Sequence, residues 1–299
     1  MTSTRSTARA SSTPSWASDR VTGRAALFQM TSGIEPAVNA EAIVAAMAEA
    51  MAGGAAMLFT PEMCGLLDRK RARALQHIRR EGEDRVLAAV REAAARLGIW
   101  VHLGSLAIEP EGGSAERSAN RAFVIDASGE IRARYDKIHM FDVDLSTGES
   151  WRESNAYAAG DQVVTVETPL GRLGLAICYD IRFPALFEAL GQARCDVIAV
   201  PAAFTVPTGK AHWHLMQRAR AVEASAYILS AAQVGLHEDG RETYGHSLAV
   251  DPWGEVLLDM GGADDGGTAG LGFVEIDPAR IAEVRAQLPS LANRRAIAT

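Results

Sequence analysis

The apolar run "LGLAIC" stops on a cysteine, Cys178, and Tyr179, Asp180 and Arg182 follow at once before Phe-Pro. A free cysteine is most often a small buried hydrophobe. On a strand-to-helix turn it instead projects from a rigid sheet edge, where a nucleophile can meet substrate. A thiol with a pKa of ~8.5 is only a few per cent ionised at neutral pH, so it needs a base or a cation beside it. Two other strand ends supply these types. "AAMLFT" runs into Glu62, a carboxylate just beyond a buried strand, and "IRARY" runs into Lys137. Glu62 can take the thiol proton. Lys137 can stabilise both the thiolate and the oxyanion formed when it attacks a carbonyl. Each residue alone reads as a solvated strand end. Together they suffice for acyl transfer from an amide, with no metal and no cofactor.

Competing patterns are poorer. The chain has no G-x-S-x-G, H-E-x-x-H, Walker A or G-x-G-x-x-G sequence. His212 and His214 form the best metal candidate, but i,i+2 on a helix points them to different faces. With 7 histidines in the chain, a Cys-His-Asn arrangement stays open on spacing alone. Cys195 precedes the buried run "DVIAV" and reads as core; Cys64 lies near Glu62 but has no cationic neighbour in sequence.

The elements that must hold these residues alternate. "RAALFQM" reads as a strand, "NAEAIVAAMAEAMAGG" as a helix stopped by glycines, and "EDRVLAAVREAAARLG" as an amphipathic helix ended by Gly98. "IWVHLGSLAI", "VVTVET" and "RLGLAIC" read as strands, and "RAFVIDASGEIRARY" as a hairpin turning at Ser128-Gly129. A helix from Phe183, the strand "DVIAV" and the helix "AHWHLMQRARAVEA" follow. The last third holds "AYILSAA", "HSLAVD", "EVLLD" and "LGFVEI" as strands and a helix from Pro278. No linker separates the halves, so the pattern predicts one α/β domain with helices covering the sheet faces.

Composition sets outer limits. The 299 residues are 48% apolar and 22% charged, ordinary for a soluble globular protein, and the formal net charge of -7 is unsuited to nucleic acid. No apolar stretch approaches the ~18 residues that span a bilayer. With 3 cysteines and no C-x-x-C pair, the chain fits a reducing, cytoplasmic setting. The Ser/Thr/Arg-rich start lacks the apolar core of a secretory signal and predicts a disordered extension over 1–22, with the domain over 23–299.

Three segments, "FTPEMCG", "YDKIHMFDVD" and "LAICYDIRFP", together resemble the nitrilase superfamily of carbon-nitrogen hydrolases, in the family's order of Glu, Lys, Cys. The likeness continues through "VPAAFTVPTGKAHWHLMQRARAVEASAYILSAAQVG", "YGHSLAVDPWGEVL" and "LPSLANRR". "CYDIRFP" resembles the branch that contains omega-amidase and deaminated-glutathione amidase. The resemblance implies a four-layer αββα sandwich, dimeric through helix faces, and a second glutamate after the lysine, which falls on Glu153. It implies hydrolysis of a small carboxylate-bearing amide through a cysteine thioester. A carbamoyl amino acid or a nitrile are the alternative substrates, and an inactive scaffold the alternative role. Tyr179, through its backbone N–H, Arg182, as a carboxylate reader, and Phe204 are expected at the substrate. The chain departs from the branch at His214, where a glutamate is common, and at Asp136 before the lysine.

Overall fold

Alternation along the first strand decides what it packs against. The computed structural model describes residues 22–110, 117–144, 148 and 150–296. In β1 (Gly23–Gln29), Ala25 and Leu27 point into a core shared with the second half of the chain, whereas Ala26 and Phe28 point into a separate core beneath helices. Period-two patterning with both faces apolar marks a strand buried between two layers.

The first half supplies α1 (Pro36–Ala52), β2 (Met57–Phe59), α2 (Arg85–Leu97), β3 (Trp100–Glu109), β4 (Ser118–Ile125) and β5 (Ile131–Asp136). The second half supplies β6 (Thr165–Thr168), β7 (Gly171–Leu175), α3 (Pro184–Gln192), β8 (Val197–Ala199), α4 (Val206–Ala224), β9 (Tyr227–Ser230), β10 (Leu248–Val250) and β11 (Val256–Asp259). β12 (Gly270–Ile276) and α5 (Pro278–Gln287) close the chain.

One sheet runs β12-β1-β2-β3-β4-β5 and the other β6-β7-β8-β9-β10-β11. Both carry the same sequence of pairings: antiparallel, parallel, parallel, antiparallel, antiparallel. Met57 and Phe59 of the first sheet meet Leu173, Leu175 and Val197 of the second in a common core. Ile43 and Met47 of α1 and Val90 of α2 cover the outer face of the first sheet, and Phe187 of α3 with Trp213 of α4 covers the second. The order of layers is α, β, β, α, as the family resemblance implied.

Local signals account for the helix ends. The Asp84 carboxylate accepts the Leu87 N–H at 2.8 Å to cap α2, and Gly98 ends it in the left-handed region at φ 71. α4 starts at Val206, five residues before the sequence expectation at Ala211, because Pro207 sits in the first turn, where its missing N–H costs nothing. The extension expected over 1–22 falls, up to residue 21, outside the described residues.

Candidate active site

The strands β2, β5 and β7 end at one place, and within three residues of each end lies a side chain functional in type. Glu62 follows β2, Lys137 follows β5, and Cys178 follows β7, so the first sheet contributes the carboxylate and ammonium and the second the thiol. The sheets can close here because Gly104 has no side chain: a Cβ would overlap the Thr60 and Pro61 carbonyl oxygens and come within 2.7 Å of Pro201.

Cys178 sits in the left-handed region at φ 50, a conformation that costs a non-glycine residue roughly 1–2 kcal/mol. Fixed hydrogen bonds impose it. The Cys178 N–H donates to Pro201 O at 2.9 Å, and the Ile177 N–H to Asp180 Oδ2 at 2.9 Å. The fully buried Asp180 also accepts the Tyr135 hydroxyl at 2.7 Å and the His139 N–H at 3.0 Å. One carboxylate thereby ties the thiol's turn to the strand end that carries Lys137.

Lys137 is 1% exposed, and its ammonium lies between two carboxylates. Nζ donates to Glu62 Oε1 at 2.8 Å and to Glu153 Oε1 and Oε2 at 3.0 and 2.9 Å. Burial works against the charge, but Glu153 and Glu62 outweigh it and hold the ammonium well above its usual range. Glu62 is further fixed by the Asn120 amide at 3.0 Å and by the Ala203 N–H on Oε2 at 3.1 Å. Glu153 accepts the Phe141 N–H at 2.7 Å and the Asn120 amide at 3.1 Å. Burial, then the Glu62 charge, pushes the Cys178 thiol well above its usual range, and Lys137 pulls it back. The resting group is therefore a neutral thiol facing a carboxylate that can receive its proton.

Neither of the other thiols lines the cavity that Cys178 lines. Cys64 and Cys195 are fully buried, and burial pushes them up to about 11 and about 12. Asn120 and the Ala203 N–H escape sequence reasoning, since neither lies near Glu62 in the chain and no spacing links them.

Glu62, Lys137, Glu153 and Cys178 line one cavity of about 260 Å³, together with Tyr179 and Phe204. Arg182 does not line it. The short turn after Cys178 directs its guanidinium over the Tyr179 and Phe204 rings, 5.8 and 5.7 Å from their centroids, with His212 Nδ1 at 3.4 Å. In this position Arg182 backs the aromatic wall.

The two departures from the branch pattern find partners. Asp136 takes a two-pronged clamp from Arg121 at 2.6 and 2.9 Å. His214 Nε2 meets Asp259 Oδ2 at 2.8 Å, and His246 Nδ1 meets Asp259 Oδ1 at 2.9 Å, so a carboxylate comes from β11 where the helix lacks one. The His214, His246 and Asp259 ligand-type atoms lie within 4.8 Å of one another and do not line the cavity. His212 and His214 diverge, one toward Arg182 and one toward Asp259.

A family model described as "Carbon-nitrogen hydrolase" matches residues 24–286, which include Glu62, Lys137, Glu153 and Cys178. The chain belongs to the carbon-nitrogen hydrolase family. Among its relatives, a deaminated glutathione amidase from Yersinia enterocolitica is 38% identical over 275 residues, covering 92% of this chain and 93% of the relative. Among solved structures, the C. elegans NitFhit protein superposes with a TM-score of 0.83 at 33% identity, covering 92% of this chain and 66% of that one. A mutant of the amidase from Nesterenkonia sp. AN1 superposes with a TM-score of 0.75 at 25% identity over 91% of this chain and 94% of that one. It shows covalent addition of the acetamide moiety of fluoroacetamide at the active site cysteine. No described helix of this carbon-nitrogen hydrolase is long and apolar enough to cross a membrane.

Proposed function

We propose that this carbon-nitrogen hydrolase is an amidase that cleaves a small carboxylate-bearing amide through a thioester on Cys178 and releases ammonia. The observation that carries the reading is the Glu62 carboxylate, held by Lys137, Asn120 and the Ala203 N–H in the cavity that the Cys178 thiol also lines. In the first half-reaction Glu62 takes the thiol proton and Cys178 Sγ bonds to the amide carbon. The Lys137 ammonium and the Tyr179 backbone N–H stabilise the oxyanion. Glu62 returns the proton to the departing nitrogen, the C–N bond breaks, and ammonia leaves. In the second half-reaction Glu62 takes a proton from water, the hydroxide adds to the thioester, and the acid leaves as the thiol is restored. Glu153 holds the Lys137 ammonium aimed at the reacting oxygen.

Deaminated glutathione ranks first among substrates, in keeping with relatives described as deaminated glutathione amidases, and alpha-ketoglutaramate or another dicarboxylate monoamide ranks second. An N-carbamoyl amino acid ranks third and a nitrile last. An ammonia-release screen of these classes tests the reading. Release from the amides by the wild type and none by Cys178→Ala is expected; release that survives Cys178→Ala overturns it.

A further inference from the structure

Arg182 does not line the cavity, but other guanidiniums do. The cavity's far wall is built from three segments distant in sequence. Trp151 comes from a hairpin of Asp142–Asp144 and Ser150–Arg152, Arg241 from the tip of a second hairpin of Val234–Leu236 and Glu242–Tyr244, and Arg69 from the loop after Glu62. The two guanidiniums flank the indole, with Arg241 Cζ 5.0 Å and Arg69 Cζ 5.9 Å from its ring. Arg241 Nε and Trp151 Nε1 are both buried donors with no acceptor among the described residues. Buried donors left unpaired are rare and costly, so two of them on one cavity wall mark a place where an acceptor belongs.

Nearby acids do not fill that place. Asp239 approaches the Arg241 NH2 group at 3.4 Å and already accepts the Arg69 and Arg241 backbone N–H groups at 2.8 and 2.9 Å. Asp68 is clamped by Arg73 at 2.6 Å and Asp144 by Arg152 at 2.7 Å. The Arg69 guanidinium has no acidic partner among the described residues. The wall connects to the nucleophile through rings: Phe141 is 6.3 Å from Trp151 and 5.1 Å from Tyr179, the residue after Cys178.

We propose that Arg241, Trp151 and Arg69 form the anion-reading end of the cavity and select amides that carry a carboxylate distal to the scissile C–N bond. The assignment rests on the amidase reading above. Arg241 Nε and Trp151 Nε1 donate to the carboxylate, and exposed Arg69 adds charge at the mouth. A guanidinium edge suits a planar carboxylate better than an ammonium does.

The test compares kcat/KM for glutaramate with that for valeramide, which has a methyl group in place of the carboxylate, taking the ratio as the readout. The wild type favours glutaramate. Arg241→Met lowers the ratio by about 30-fold, the loss expected for one hydrogen bond to a charged group. Arg241→Lys falls between, since it keeps the charge and loses the Nε–H. Trp151→Phe keeps the ring and loses the donor, lowering the ratio by about fivefold; with exposed Arg69→Gln it decides the matter should Arg241→Met fail to fold. A ratio unchanged in these variants, or both substrates slowed equally, overturns the assignment and leaves the amidase reading standing. A wild type that hydrolyses amides without favouring glutaramate overturns the assignment and the carboxylate half of the proposed function together.

Discussion

Lys137 Nζ lies 2.8 Å from Glu62 Oε1, and both side chains are almost wholly buried. Such a pair is held by its geometry rather than by net stability, because desolvation cancels most of the attraction. What the pair secures is position. Glu62 is gripped on both oxygens, so it faces the Cys178 thiol in one orientation, and Lys137 is prevented from swinging away by Glu153 on its other side.

Lys137→Met leaves Glu62 and Glu153 buried without their cation. We expect a loss of about 3–5 kcal/mol in unfolding free energy, measured by urea titration, since one partner of a buried ionic cluster is gone. Ammonia release should fall at least ~100-fold, because the oxyanion loses its charged donor. A variant that keeps full stability and rate would show that the ammonium is dispensable.

Asn120→Ala removes the amide that bridges the two glutamates, 3.0 Å from one and 3.1 Å from the other. Both carboxylates keep Lys137, so the fold should hold while kcat falls about tenfold from looser alignment. Steady-state kinetics beside a thermal melt separate the two effects; a lower melting temperature with unchanged kcat would assign Asn120 to stability alone.

His102 on β3 is fully buried, its ring nitrogens have no partner among the described residues, and burial lowers its pKa from 6.5 to about 3. The folded state therefore favours the neutral ring. Stability is fully present above pH 6.5 and is lost as pH falls toward about 3, by about 2 kcal/mol at pH 5. His102→Leu should remove that part of the difference between denaturation at pH 7 and at pH 5. An unaltered difference would place the acid sensitivity elsewhere.

Leu215 and Val222 on α4 are 69% and 41% exposed. We read this face, with the helix after Cys178, as the surface through which two copies meet. Light scattering at micromolar concentration should give at least a dimer, and Leu215→Glu should weaken it. A wild-type monomer under those conditions contradicts this.

The layered fold was legible because its strands carry apolar or alternating runs that stop abruptly, and Glu62, Lys137 and Cys178 each lie just past such a stop. Two hairpins left no comparable trace. Their strands are three residues long and largely polar or exposed, so no period appears, and with them went Trp151 and Arg241. The turn that raises the thiol carries Arg182 behind the aromatic wall, a direction that adjacency to Cys178 in sequence does not give. Asn120 meets Glu62 from a strand 58 positions away, a distance over which sequence holds no geometric signal.

The central claim, that Cys178 carries the acyl group, is tested most directly by intact-mass spectrometry of enzyme quenched during turnover of glutaramate. A species heavier by the amide less ammonia, mapped to the Cys178 peptide and absent from Cys178→Ala, is the predicted result. An adduct on Cys64 or Cys195, or steady ammonia release by Cys178→Ala, would contradict it.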